Sequence, residues 1–176
     1  RYAKQSAAVL SVEAIDLLYF HRPDPKVPYA ESIEAMKSLY DQGVARTIGI
    51  SNASVEQIGI AHRILGDALV AVQNQFSPIH RDTQDTIDCT AELGLAFVCW
   101  SPLGGFRKPY DGSKFDPFRR VAAAHGVSCQ QIVLAWELAR GDHVFVLPGT
   151  HRAETVIDSL HADCVELSAQ ELEYLG

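Results

Sequence analysis

The 176-residue sequence has no apolar run of about 18 residues or more, the length a membrane-spanning helix needs. It has no basic-then-apolar leader and no basic run interleaved with aromatic residues. With 15 basic against 22 acidic residues, its formal charge is −7. These absences argue against membrane and nucleic acid as partners, and leave small molecules or other proteins.

Metal-binding and disulfide patterns are also missing. The four cysteines form no C-x-x-C pair, and Cys99 lies in an apolar run where a reduced, buried thiol is expected. The seven histidines show neither H-x-H nor H-E-x-x-H spacing. We therefore expect no metal site and a reducing, cytoplasmic location. The sequence opens on Arg1 within a helix-like segment, so we also expect further residues before it.

What the sequence does contain is a regular alternation of short apolar runs and segments with helical periodicity. The predicted strands are Ile15–Phe20, Thr47–Ile50, Leu69–Val72, Ala96–Trp100 and Val144–Leu147. The predicted helices are Ser32–Tyr40, Val55–Leu65, Thr86–Leu93, Val127–Arg140 and Ala153–Leu160, with Ser54 and Asp82 as candidate N-caps. Apolar strands that alternate with helices indicate a parallel sheet covered on both faces. We predict one α/β domain over residues 1–176.

Two α/β architectures fit this order, an open doubly wound sheet and a closed (β/α)8 barrel. A dinucleotide-binding doubly wound fold would need G-x-G-x-x-G directly after its first strand, but HRPDP follows at residues 21–25. Polar or glycine-rich segments instead follow every predicted strand, at the face where barrel enzymes have their sites. The sequence therefore favours the TIM barrel.

Five motifs, one at the end of each predicted strand, resemble strands four to eight of the aldo-keto reductases in order and spacing. They are IDL…HRP at 15–23, IGISN at 48–52, VQ at 72–73, WSPLG at 100–104 and LPGT at 147–150. The resemblance implies an aldo-keto reductase barrel to which this chain contributes about five βα units, without the N-terminal ones. It also implies an NAD(P)H-dependent oxidoreductase that reduces aldehydes or ketones to alcohols by hydride transfer.

The resemblance assigns roles at the strand ends. His21 would donate a hydrogen bond to the substrate carbonyl and polarise it. Ser51, Asn52 and Gln73 would bind the nicotinamide carboxamide, and Trp100 would stack on the nicotinamide ring of a cofactor that lies across the barrel mouth. Three of these assignments have an alternative interpretation. His21 could be a packed histidine, Ser51 and Asn52 an N-cap pair, and Trp100 a core aromatic.

Two further segments are candidates for the cofactor phosphates, since glycine permits close approach of main-chain N–H groups. They comprise Ser101, Pro102, Leu103 and Gly104, and then Gly149, Thr150 and Arg152. A helix predicted to begin near Arg152 offers free N–H donors, and plain turns are the alternative. The resemblance favours NADP(H) over NAD(H), but the chain departs from the family pattern. Gly149 and Thr155 carry no charge, and Asp158 and Ser159 stand where Glu-Asn is usual.

The family's catalytic Asp, Tyr and Lys belong to earlier strands and are not in this sequence. Tyr19, two residues before His21, is expected one layer deeper in the barrel, in a core role. We therefore expect the chain alone to be inactive, and its open edges to be covered by an N-terminal barrel segment or another chain. A non-catalytic cofactor-binding redox sensor or regulatory subunit is the alternative function. The loop Gly104–Pro117, with Arg107, Lys108 and Tyr110, is a candidate lid, and the carbonyl substrate is unidentified.

Overall fold

The computed structural model describes residues 2–105 and 112–176, in which strands alternate with helices. The strands are β1 (Ile15–Phe20), β2 (Ala45–Ser51), β3 (Leu69–Gln75), β4 (Ala96–Trp100) and β5 (Val144–Leu147). The α-helices are α1 (Tyr2–Leu10), α2 (Tyr29–Asp41), α3 (Val55–Leu65), α4 (Gln84–Glu92), α5 (Asp116–His125), α6 (Cys129–Leu138), α7 (Ala153–Leu160) and α8 (Ala169–Leu175). Short 3-10 turns lie at Gly66–Ala68, Gly112–Phe115 and His161–Cys164.

The strands form one sheet in the order β1-β2-β3-β4-β5. β1 pairs in parallel with β2, and β2 with β3, so that Phe20 lies beside Ile50 and Ser51 beside Gln73. Neighbouring strands are thus neighbours in sequence, as in a barrel wall, whereas a doubly wound sheet reverses its order part-way. The predicted succession of βα units is confirmed.

The structure differs from the prediction at the ends of two strands and in two short helices. β2 and β3 extend beyond their apolar runs, because main-chain pairing continues into the flanking residues: Ala45 pairs with Ile15, and Ser51 pairs with Gln73. Helices α5 and α8 were not predicted, and α5 begins inside the segment predicted as a lid loop. The lid prediction at Arg107, Lys108 and Tyr110 falls outside the described residues.

Helix α3 shows how the sequence determines an element boundary next to the predicted site. Ser54 caps it: the Ser54 side chain accepts from the main-chain N–H of Gln57 (3.3 Å), and the Gln57 side chain accepts from the Ser54 N–H (3.0 Å). This reciprocal pair satisfies two N–H groups that would otherwise be left unbonded. The other N-cap prediction, Asp82, is wrong, since α4 begins only at Gln84 and Asp82 instead pairs with His80 (3.1 Å).

The chain divides into two compact units, residues 1–74 with 88–97 and residues 75–87 with 98–176. The first unit has an aliphatic core that includes Ile48, Ile50 and Ile58, all fully buried. In the second unit, the ring of Trp136 stacks on Phe76 at 5.2 Å and meets the edge of Phe118 at 5.4 Å. Such aromatic pairs add about 0.5–1.5 kcal/mol beyond their buried area.

Two features are absent from the described ranges. No helix in them combines the length and apolar character that a membrane span requires. No group of three or more His, Cys, Asp or Glu side chains in them is arranged to hold a metal ion. Cys99 is fully buried as expected, and burial raises the pKa of its thiol, with the nearby Glu137 acting in the same direction.

Candidate functional site

Four of the residues predicted from the sequence meet in the first unit, at the C-terminal ends of β1, β2 and β3. The Asn52 Nδ2 donates to the His21 carbonyl oxygen (3.0 Å) and to the Ser51 Oγ (3.1 Å). The Ser51 hydroxyl in turn donates to the Gln73 carbonyl oxygen (2.7 Å). One hydrogen-bonded chain therefore connects His21, Asn52, Ser51 and Gln73.

The turn after β2 has an unusual backbone. Asn52 lies in the left-handed region at φ 57°, which few residues other than glycine adopt but which asparagine tolerates. Its main-chain N–H donates to the Gln73 carbonyl oxygen at 3.1 Å. The alternative interpretation of Ser51 and Asn52 as an N-cap pair is wrong, since the N-cap of α3 is Ser54.

The polar groups of this cluster differ in what they still offer a ligand. Ser51 is 2% exposed and its hydroxyl proton is already donated. By contrast, the Asn52 Oδ1 and the whole side-chain amide of Gln73 have no hydrogen-bond partner within residues 2–105 and 112–176. Gln73 is half-buried and His21 is exposed. The cluster thus offers a ligand the side-chain amide of Gln73 and the Oδ1 of Asn52.

Asn74 is a site residue that the sequence analysis missed. It is 3% exposed, and its side-chain amide binds both polar atoms of the Ala53 main chain. The Ala53 N–H donates to the Asn74 Oδ1 (3.0 Å), and the Asn74 Nδ2 donates to the Ala53 carbonyl (2.8 Å). The available signal is a polar side chain two residues after an apolar strand run, but the predicted strand ends at Val72, which puts position 74 in a loop.

In the second unit, the end of β4 forms a sharp turn after Trp100. Ser101 has φ 52° and Gly104 φ 91°, and the Gly104 N–H donates to the Ser101 carbonyl at 2.9 Å. At Gly105, also left-handed at φ 75°, a Cβ would lie 3.2 Å from the Ser101 Oγ. The indole N–H of Trp100 is buried without a partner among the described residues. The turn is therefore closed by its own main-chain hydrogen bond, and Trp100 carries an unsatisfied donor among the described residues.

A cleft of about 310 Å³ in the same unit joins the two segments predicted to bind phosphate. Ser101, Pro102, Leu103 and Gly105 line one side, and Leu147, Pro148 and Gly149 line the other. Thr150 does not line this cleft. Its Oγ1 accepts from the Arg152 N–H (3.2 Å), and Arg152 is the exposed N-cap of α7, as the predicted helix start required.

The Asp158 carboxylate takes part in a structural contact between two helices. The Asp158 carboxylate accepts from the Ser128 hydroxyl (2.7 Å) and from the Gln131 side chain (2.6 Å), both at the N-terminus of α6. Asp158 thereby anchors α7 to α6.

The family model described as the aldo/keto reductase family matches residues 1–176. The chain belongs to the aldo-keto reductase family. It is 31% identical over 188 residues to an aldo-keto reductase of Gibberella moniliformis, an alignment that covers 90% of the chain and 57% of that relative. The chain therefore spans little more than half the length of this curated aldo-keto reductase.

Solved structures resemble the chain over nearly its whole length. The thermostable aldo-keto reductase Tm1743, solved with the inhibitor epalrestat, is 27% identical with a TM-score of 0.88, covering 98% of this chain and 63% of that one. A Gox0644 mutant in complex with NADPH is 23% identical with a TM-score of 0.83, covering 99% of this chain and 62% of that one. The fold is the aldo-keto reductase (β/α)8 barrel, of which this chain supplies five strands.

Proposed function

We propose that a protein containing this chain is an NAD(P)H-dependent oxidoreductase that reduces a small-molecule aldehyde or ketone to an alcohol. Family membership supports the reaction class. The observation that carries the proposal is the amide pair at the ends of β2 and β3, where the Gln73 amide and the Asn52 Oδ1 are unbonded within the described ranges.

This amide pair complements the carboxamide of a nicotinamide. A carboxamide has one acceptor oxygen and two N–H donors, so it needs partners that both donate and accept. The Gln73 Nε2 can donate, while the Gln73 Oε1 and Asn52 Oδ1 can accept. The buried Ser51 acts through Asn52, because its Oγ holds the Asn52 Nδ2 at 3.1 Å.

The second unit offers features that suit the rest of the cofactor. Trp100 supplies a flat ring at a strand end for stacking on the nicotinamide, and its buried, unpartnered indole N–H leaves a donor that a ligand can satisfy. The turn from Ser101 to Gly105 contains three left-handed residues, Ser101, Gly104 and Gly105, and Ser101 and Gly105 line the neighbouring cleft. We assign the pyrophosphate to the cleft between this turn and Gly149.

For the cofactor we propose NADP(H) rather than NAD(H). Arg152, at the N-cap of α7, is exposed, and its guanidinium has no hydrogen-bond or ion-pair partner among residues 2–105 and 112–176, so it can bind a 2′-phosphate next to the positive end of the helix. The Gox0644 relative, solved with NADPH, is consistent with this assignment. We further propose a reducing, cytoplasmic setting, because all four cysteines are free thiols.

When bound, the nicotinamide supplies the hydride. The chain's own contribution to catalysis is His21, whose exposed ring can donate an N–H to the substrate oxygen as negative charge develops on it. The hydrogen bond from Asn52 to the His21 carbonyl fixes the end of β1 that carries this ring. We assign the proton donor for the new alkoxide to the Tyr of the family's earlier strands, which its Asp and Lys companions would assist.

Those earlier strands are also the partner we propose for the open edges of the sheet. In the first unit, Leu17 on β1 is 37% exposed. In the second unit, Phe145 and Leu147 on β5 are 54% and 47% exposed. Large apolar side chains at sheet edges are normally covered, and in a barrel they fill the interior in layers. An N-terminal segment or another chain would bury them.

The test is a fluorescence titration of the full-length protein with NADPH and NADH, followed by assay of aldehyde reduction at the nicotinamide absorbance. Tight cofactor binding with turnover supports the oxidoreductase. Binding without turnover of any carbonyl tested would instead favour a redox sensor or regulatory subunit. Failure to bind either cofactor would exclude both functions.

A further inference from the structure

We propose that Asn74, which contacts neither the proposed substrate nor the proposed cofactor, is a positioning residue for the nicotinamide site. Its side chain holds the main chain of Ala53 so that Asn52 keeps the left-handed backbone that presents its amide oxygen. This inference rests on the proposed function, since it concerns the same carboxamide site.

The first step is the contact itself. The Asn74 side chain bonds both the N–H and the C=O of Ala53, at 3.0 and 2.8 Å. Asn74 is 3% exposed and Ala53 is 3% exposed, so water cannot easily replace either bond. An amide that donates and accepts at one residue mimics a strand partner, and it continues the β2–β3 pairing past Ser51, where the strand ends.

The second step is the backbone of the preceding residue. Asn52 has φ 57°, a conformation that asparagine tolerates but does not prefer, so contacts on both sides stabilise it. Two bonds act on its N-terminal side, because the Asn52 N–H and the Ser51 hydroxyl both donate to the Gln73 carbonyl. On its C-terminal side, the described hydrogen bonds to Ala53 are those of Asn74.

The third step connects the two hydrogen bonds between Asn74 and Ala53, here called the Ala53 clamp, with recognition of the cofactor. With both flanks fixed, the Asn52 side chain donates to His21 and Ser51 and leaves its Oδ1 available. If the Ala53 clamp is lost, Asn52 can relax toward negative φ, and its amide then leaves this position. The expected loss falls on the nicotinamide end of the cofactor, while groups that bind the adenosine end in the second unit keep their geometry.

The experiment compares NADPH with adenosine 2′,5′-bisphosphate, which carries the adenosine-side phosphates and no nicotinamide, on the full-length protein. Asn74→Leu removes both bonds, and Asn74→Asp keeps an acceptor for the Ala53 N–H but loses the donor. Leaving buried main-chain groups unbonded should weaken NADPH binding roughly tenfold in Asn74→Leu and less in Asn74→Asp, while the bisphosphate changes by less than about twofold.

Ile58→Val is the matched control, because Ile58 is buried in α3 of the same unit and its apolar side chain takes part in none of these hydrogen bonds. It should lower the melting temperature and leave both dissociation constants unchanged. If Asn74→Leu does not fold, the selective loss in Asn74→Asp decides the question. Unchanged NADPH affinity in the folded variants, or equal weakening of both probes, would overturn the positioning role and leave the proposed function intact. A wild-type protein that binds no nicotinamide cofactor would overturn both.

Discussion

The Asn52 side chain donates a hydrogen bond to the His21 main-chain carbonyl at 3.0 Å, joining the turn after β2 to the end of β1. Asn52 therefore has two proposed tasks in one amide. Its Oδ1 can accept a hydrogen bond from the nicotinamide carboxamide. Its Nδ2 fixes the end of β1, which carries the His21 ring. Variants of Asn52 and Gln73 should consequently differ in their effects.

The first prediction compares these two amides. Gln73→Ala should weaken NADPH binding by about 1–3 kcal/mol, because it leaves cofactor groups unpaired. Asn52→Ala should weaken binding by a similar amount and also lower kcat, since the bond to His21 is lost. Fluorescence titration gives the affinities and steady-state aldehyde reduction gives kcat. Gln42→Ala, at the exposed end of α2, is the control and should change neither. Wild-type affinity in Gln73→Ala contradicts the carboxamide assignment.

The second prediction tests the adenosine end of the cofactor. Arg152→Ala should reduce NADPH affinity much more than NADH affinity, by about 1.5–3 kcal/mol for a charge-assisted contact to the 2′-phosphate. The loss should shrink as salt is raised, because Arg152 is exposed. Arg63→Ala, in the last turn of α3, is the charge-matched control. Equal losses for the two cofactors would show that the 2′-phosphate is bound elsewhere or not at all.

The third prediction concerns the fully buried Glu137, whose two carboxylate oxygens have no hydrogen-bond partner among the described residues. Burial raises its pKa well above 4.5, and the opposing effect of Arg140 is smaller. The folded state therefore holds this proton more tightly than the unfolded state does. The resulting stability is complete below pH 4.5 and is lost as the pH rises through the folded-state pKa.

Glu137→Leu should remove this pH dependence and raise the free energy of unfolding at neutral and alkaline pH. Urea unfolding at several pH values measures the effect, as the difference between variant and wild type at each pH. Glu34→Gln, on an exposed face of α2, should leave the pH profile unchanged. A profile for Glu137→Leu parallel to that of the wild type would mean that Glu137 does not titrate between the two states.

The fourth prediction uses a close approach between neighbouring strands. Tyr19 on β1 is paired with Gly49 on β2, and a Cβ at Gly49 would lie 2.4 Å from the Tyr19 ring. Gly49→Ala should therefore destabilise the protein by about 1–3 kcal/mol, the usual cost of overpacking. Adding Tyr19→Leu to Gly49→Ala should recover part of that loss in thermal unfolding. An equal loss from Gly49→Ala in both backgrounds would show that the loss does not come from the contact with the Tyr19 ring.

The fifth prediction concerns the chain by itself. The purified 176-residue chain should show negligible NADPH-dependent reduction of an aromatic aldehyde. His21 alone cannot replace a general acid, which typically contributes a factor of about 10²–10⁴. Activity should appear when an N-terminal segment with the missing strands is supplied in cis or in trans. Robust turnover by the 176-residue chain, followed at the nicotinamide absorbance, would refute this expectation.

The sequence by itself determined the succession of elements and the position of most predicted site residues along it. β1, β4 and β5 have the predicted bounds, because each is a short apolar run closed by polar or Pro residues. The start of α3 could also be read directly, since Ser54 and Gln57 form a local capping pair. These are features whose causes lie within a few residues of one another.

Tertiary structure decided which polar groups are engaged and which remain available. Ser51 and Gln73 are 22 positions apart, yet their bond takes the Ser51 hydroxyl out of the set that can reach a ligand. The Asn74 clamp on Ala53 was invisible for the same reason, since its two partners meet only when β2 and β3 pair. A motif fixes residue types along the chain, but a hydrogen bond between distant residues depends on strand register, which only the folded sheet sets.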